Sequence, residues 1–151
     1  MLVNGSVESI HAAQYGILMA KLYRCSITAI YVVDTATLKQ LTLSKIFVAE
    51  ESSEYEESLK ADGMRYLTYV TELAEAKDVK IETQLRFGSV WSETVTVADD
   101  LGVNLILLGG VEKSAGGHET LRESYKLILQ NTPCSVLTVD EKQIEQLYKL
   151  A

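Results

Sequence analysis

A chain of 151 residues with a formal charge of −7 is long enough for one domain with its own core. It is also acidic enough to argue against nucleic acid and anionic membranes, which repel a negative surface. Apolar residues at 47% and charged residues at 23% exclude a disordered or collagen-like chain. No apolar run approaches the ~20 residues that cross a bilayer, and no secretory signal pattern opens the chain. The expectation is a soluble, cytoplasmic domain without membrane insertion.

Met1 to Val3 reads as a short strand running into Asn4-Gly5-Ser6, where Ser6 is placed to cap a helix. The stripe Ile10, Ala13, Ile17 and Ala20 recurs at helical spacing, and Glu8 complements the positive end of that helix. Gly16 weakens the helix by about 1 kcal/mol against alanine, which predicts a close packing contact there. Ile27 to Val33 is β-branched with little polar alternation, as in a strand buried on both faces, and Asp34 ends it.

From Thr35 to Ala49 no period is clear, and the segment reads as a connecting excursion. Glu50 to Lys77 is helical, with Leu59, Leu67, Val70 and Leu73 inward. Its acidic start from Glu50 to Glu57 predicts a solvated helix beginning, not a metal site. Val79, Ile81, Thr83 and Leu85 alternate as a strand, and Gly88-Ser89 opens a helix carrying Trp91, Val95, Ala98 and Leu101 that stops at Gly102.

Asn104 to Leu108 is the next strand. A glycine-rich loop from Gly109 to Gly117 leads to a helix from Leu121 to Gln130, then Pro133 and a fifth strand, Ser135 to Val139. A short amphipathic tail from Glu141 to Leu150, with Ile144, Leu147 and Leu150 at helical spacing, closes the chain. This tail is placed either to cover or swap across a dimer joint, or to pack on its own subunit.

Strands alternating with helices predict an α/β fold with a doubly wound five-stranded parallel sheet, because right-handed crossovers put helices on both faces. Ligands in such sheets bind at the carboxyl ends of the strands. The segments that matter are therefore Asn4-Gly5-Ser6, Val33-Asp34 and Gly109 to Glu123.

Three runs fall at these loops: Val3-Asn4-Gly5-Ser6 with Ala12-Ala13, Ala29 to Asp34, and Leu105 to Gly109. Together with Pro133 to Leu137, their order and spacing resemble the universal stress protein family. The resemblance covers nearly all of residues 1 to 139. It implies a domain over residues 1–140 with a C-terminal extension over 141–151, and a Rossmann-like fold of the adenine nucleotide alpha hydrolase type with strand order 3-2-1-4-5. It also implies a homodimer paired along Ser135 to Val139.

One branch of that family binds ATP through a glycine, two residues, a glycine, nine residues, a glycine, then serine or threonine. Glycines let backbone N–H groups approach phosphate, and the hydroxyl donates one more bond. Laid on this chain, the pattern falls on Gly109, Glu112, Arg122 and Glu123, and only Gly109 matches. A carboxylate ~4 Å from a phosphate charge at an effective dielectric near 20 is repelled by about 4 kcal/mol. Asn4 stands where that branch carries an aspartate.

The expected pocket is therefore a degenerate one, formed by Asn4, Gly5, Val33, Asp34, Gly109, Gly110, Glu112, Arg122 and Glu123. It binds no cofactor on this expectation. The alternative is an ATP or AMP sensor using a rearranged loop with Lys113, Ser114 and His118.

Nothing suggests catalysis or a metal. No nucleophile elbow or HExxH pattern occurs, and Cys25 and Cys134 each open an apolar run, which predicts two buried, reduced thiols. The sequence thus predicts a regulatory, non-enzymatic domain acting through dimerisation and an unidentified protein partner. A further possibility is the cytoplasmic regulatory domain of a transporter or sensor kinase.

Overall fold

The β-branched run after Cys25 forms the spine of the molecule, a strand with Ala29 to Val33 all buried. Residues 1–111, 119–140 and 143–151 are described in a computed structural model. In chain order the elements are β1 (Leu2–Val3), α1 (Val7–Tyr23), β2 (Ile27–Asp34), α2 (Thr35–Leu43), α3 (Ala49–Glu75) and β3 (Ile81–Gly88). The second half holds α4 (Val90–Leu101), β4 (Leu105–Gly109), α5 (Glu119–Asn131), β5 (Ser135–Val139) and α6 (Ile144–Leu150).

All pairing among these strands is parallel. β2 pairs β3 from Ile27↔Ile81 to Asp34↔Gly88 and pairs β1 at Leu2↔Ile30 and Val3↔Tyr31. β4 pairs β5 from Leu105↔Ser135 to Gly109↔Val139. The expected single ladder of five strands is thus divided into a three-stranded sheet, β1-β2-β3, and a two-stranded sheet, β4-β5. β1 has only two residues, and its ladder is with β2.

Side-chain alternation in the strands sends residues to two opposite layers. On one face Val3, Ala29, Tyr31 and Val33 pack with Ala13 of α1 and Leu67 and Val70 of α3. On the other, Leu2, Ile30, Val32, Ile106 and Leu108 pack with Val97 and Ala98 of α4 and Tyr125 and Ile128 of α5. Leu2 joins side chains of both sheets in that cluster, so apolar packing spans the gap that hydrogen bonds do not. Each fully buried aliphatic side chain contributes about 1.5–3 kcal/mol.

Gly16 has the close contact its helix-weakening cost implied. A Cβ there would lie 2.9 Å from the Leu107 side chain and 3.2 Å from the Met1 sulfur. The segment after Asp34, expected as a connection, instead holds α2, capped by Asp34 and burying only Leu38. In the C-terminal tail the inward residues are Ile144 and Tyr148, while Leu147 and Leu150 are exposed. Tyr148 of α6 packs against Ile17, Ala20, Ala74 and Val79. No helix among the described residues is long and apolar enough to cross a membrane.

Candidate functional site

The carboxyl ends of the strands converge on one edge, where each chain reversal solves a backbone problem of its own. After β1, the Asn4 side-chain oxygen accepts from the Ser6 amide at 3.0 Å and the Ser6 hydroxyl at 2.6 Å. The Ser6 hydroxyl oxygen in turn accepts from the Ser9 amide at 3.1 Å and caps α1, satisfying one of the four orphan donors of a helix start. Gly5 takes a φ of +80°, and a Cβ there would lie 2.6 Å from the Tyr66 ring. The loop is a closed turn whose polar groups bond one another.

After β2, the Asp34 carboxylate accepts from the Thr37 amide and hydroxyl and caps α2. Val33 is buried in the core at 0% exposure. After β4, a Cβ on Gly109 would lie 2.5 Å from the Glu8 backbone carbon. This glycine therefore lets the strand end press on the first turn of α1. Gly110 donates its amide to the Val139 carbonyl at 2.9 Å and sits against the Asp140 side chain. Both glycines have packing roles that the loop pattern alone did not reveal.

A groove of about 700 Å³ opens between α2, the start of α4 and the middle of α5. Of the sequence-derived site residues, it brings together Asp34 and Glu123. Asn4, Gly5, Val33, Gly109 and Gly110 stand outside its lining, as does Arg122, and Glu112 lies outside the described residues, with Lys113, Ser114 and His118. Gln40, Ser89 and Trp91 line the groove and were not assigned to a site from sequence. The signal was present in Gly88-Ser89, a strand-to-helix turn at the same edge. Among the described residues no lysine or arginine lines the groove.

Near this edge Tyr125 of α5 is buried, with no hydrogen-bond partner for its hydroxyl among the described residues. Burial pushes its pKa up to about 12, and the Glu8 charge adds to the rise. The nearby Asn4 side chain opposes it without a hydrogen bond of good geometry. No cluster of three or more histidine, cysteine or acidic side chains able to hold a metal occurs among the described residues.

Parallel strands with helices on both faces and a groove at the strand ends define an α/β protein of the kind that places ligands at a sheet edge. Residues 1–140 match the universal stress protein family, and the chain belongs to that family. It is 32% identical over 143 residues to a universal stress protein of Methanocaldococcus jannaschii, spanning 94% of this chain and 81% of that protein.

Solved structures share the fold. A universal stress family protein from Burkholderia pseudomallei superposes with a TM-score of 0.70 at 19% identity, over 93% of this chain and 92% of its own. The universal stress protein UspA from Lactobacillus plantarum gives 0.70 at 16% identity, over 92% and 94%. A universal stress protein in complex with cAMP gives 0.58 at 16% identity, over 93% of both chains.

Proposed function

We propose that this universal stress protein is a cytoplasmic regulatory domain that does not take up ATP, performs no catalysis, and acts through dimerisation and contacts with a protein partner. The observation that carries this reading is the groove at the strand ends. Two carboxylates, Asp34 and Glu123, face it, and no cation lines it among the described residues. A triphosphate entering it would meet like charge, at a cost of about 4 kcal/mol for each ~4 Å approach near a dielectric of 20. Asp34 is further committed to capping α2, and Gly109 to contact with α1.

The five strands act as one surface in the order 3-2-1-4-5 on this reading. The cluster uniting Leu2 with Ile106 and Leu108 supports that order. The outer edge of β5, paired only with β4 among the described residues, supports self-pairing of Ser135 to Val139.

A second reading, a nucleotide sensor, is favoured by the fold neighbour solved with cAMP and by Trp91 in the groove, an aromatic suited to stacking on a base. Thermal unfolding with millimolar Mg-ATP and, separately, cAMP decides between them. A ligand at 100 times its Kd adds about 2.7 kcal/mol. No shift in Tm with either is expected, and a concentration-dependent rise with either overturns the first reading.

A further inference from the structure

The joint between α2 and α3 carries an exposed apolar surface: Leu43 is 74% exposed, Ile46 65%, Val48 59% and Tyr55 50%. The turn that holds these side chains is closed by its own backbone. Lys45 takes a φ of 58°, its amide donates to the Thr42 carbonyl at 3.1 Å, and the Ile46 and Phe47 amides both donate to the Leu41 carbonyl, at 3.0 and 3.3 Å. Phe47 then meets the Tyr55 ring edge-on with centroids 6.0 Å apart, which ties the joint to the second turn of α3. Val48 stands at the N-cap of α3 with no side-chain cap, where serine, threonine, aspartate or asparagine would steady the helix. Apolar side chains scattered singly over a surface need no explanation, whereas a group held together by a closed turn forms a patch.

The charge beside this patch selects its occupant. Glu50, Glu51, Glu54, Glu56 and Glu57 follow the turn, against one basic residue, Lys45, and none of the five makes a salt bridge among the described residues. The helix dipole accounts for Glu50 and Glu51 in the first turn and not for the three beyond it. Glu51 lies one turn before Tyr55, on the same stripe of α3, so the acidic rim adjoins the apolar side chains. A second copy would bring another acidic rim into the joint, and anionic lipid and nucleic acid are repelled likewise. We propose that this surface docks a cationic amphipathic helix of a partner protein, its aliphatic face seated on Leu43, Ile46, Val48 and Tyr55 and its lysines or arginines set against the glutamates. Apolar burial then supplies the affinity, and the carboxylates steer and orient the helix. The turn from Leu43 to Val48 spans at most about 17 Å, which a helix covers in about three turns. The proposal rests on the reading that the domain acts through a protein partner. It is separate from the nucleotide groove: uptake of ATP or cAMP would overturn the ATP-free reading and leave the docking surface standing.

The test uses the full chain and a fluorescein-labelled, acetylated peptide amide of about 14 residues, roughly four helical turns, with leucines on one face and lysines on the other. Saturable anisotropy change is expected, weakening as salt rises. Leu43→Gln combined with Ile46→Gln, at an unchanged unfolding midpoint, should weaken binding at least about tenfold. Glu51→Gln combined with Glu54→Gln should weaken it and flatten its salt dependence, while Leu129→Gln, at another exposed position on α5, should leave it unchanged. Absence of saturable binding at millimolar peptide overturns the proposal. So does binding indifferent to Leu43→Gln with Ile46→Gln, or equal binding of a peptide of the same composition with its leucines scattered around the helix, since either marks a general attraction to a chain of net charge −7. An oligomer of the free chain that the Leu43 and Ile46 substitutions dissolve would seat a second copy on the patch and also overturn it.

Discussion

The Asp34 carboxylate accepts from the Thr37 amide at 3.0 Å and from the Thr37 hydroxyl at 2.7 Å, so the last residue of β2 is also the cap of α2. A carboxylate held by two donors from the next turn is structural before it is anything else. Asp34→Ala should therefore lower stability by about 1 kcal/mol, the usual cost of losing an N-cap, while Asp34→Asn should cost less. Urea unfolding measures both. Equal costs for the two variants would show that charge, not the cap hydrogen bonds, holds the turn.

Gly109 and Gly110 separate two kinds of glycine. A Cβ on Gly109 meets the backbone of Glu8 at 2.5 Å, which cannot move without shifting α1. Gly109→Ala should therefore cost about 1–3 kcal/mol by overpacking. A Cβ on Gly110 meets mainly the side chain of Asp140, which is exposed and can swing away. Gly110→Ala should cost less than half as much. Chemical denaturation of the pair settles it, and comparable costs would contradict the packing role given to Gly109.

The parts of the fold carried by local chemistry were legible in the sequence. Ser6 caps α1 as its position before the apolar stripe implied, Gly102 ends α4, and β2, β4 and β5 fall on their apolar runs. α2 was not legible, because it buries a single residue, Leu38, and so writes no period into the sequence. The buried stripe of α6 was misassigned for a related reason: Ile144 and Tyr148 are as well spaced for a helix face as Ile144 and Leu147. Tertiary contact with Leu73, Lys77 and the Ile17, Ala20 and Ala74 cluster selects the tyrosine. The carboxyl ends of the strands, singled out from the sequence, are where the groove opens. The groove there is made by side chains from α2, α4 and α5, and their meeting is a tertiary fact.

Tyr125 offers a pH signature. Its folded pKa of about 12 lies above the unfolded value near 10, so the native state holds the proton more tightly than the unfolded chain does. The associated stability is complete below about pH 10 and is lost as pH rises through the folded value, roughly 2–3 kcal/mol in all. Because Tyr31 and Tyr148 are shifted upward as well, the contribution is read as the difference between the wild type and Tyr125→Phe. At neutral pH that variant should be neutral or up to about 1 kcal/mol more stable, since it removes a buried hydroxyl without a partner among the described residues. Its alkaline loss of stability should be smaller than the wild type's. A clear destabilisation at pH 7 would reveal a partner for the hydroxyl.

The final prediction separates the tail from the dimer. In α6, Tyr148 donates its hydroxyl to the Leu73 carbonyl and its ring lies 4.7 Å beneath the Lys77 ammonium. Lys21 donates to the Ala151 carbonyl at 3.0 Å. These contacts fasten the tail to α1 and the end of α3, leaving the outer edge of β5 unpaired among the described residues. If Ser135 to Val139 pairs antiparallel with its own copy about a twofold axis, Val136 and Leu137 present opposite faces to the joint, and the tail takes no part in it. A chain ending at Asp140 should then remain a dimer by light scattering coupled to size exclusion, yet unfold at a lower temperature. Removing a buried aromatic such as Tyr148 costs up to about 3 kcal/mol. Intact chain that runs as a monomer at micromolar concentration would remove the β5 joint. A dimer lost on truncation would transfer the joint to α6.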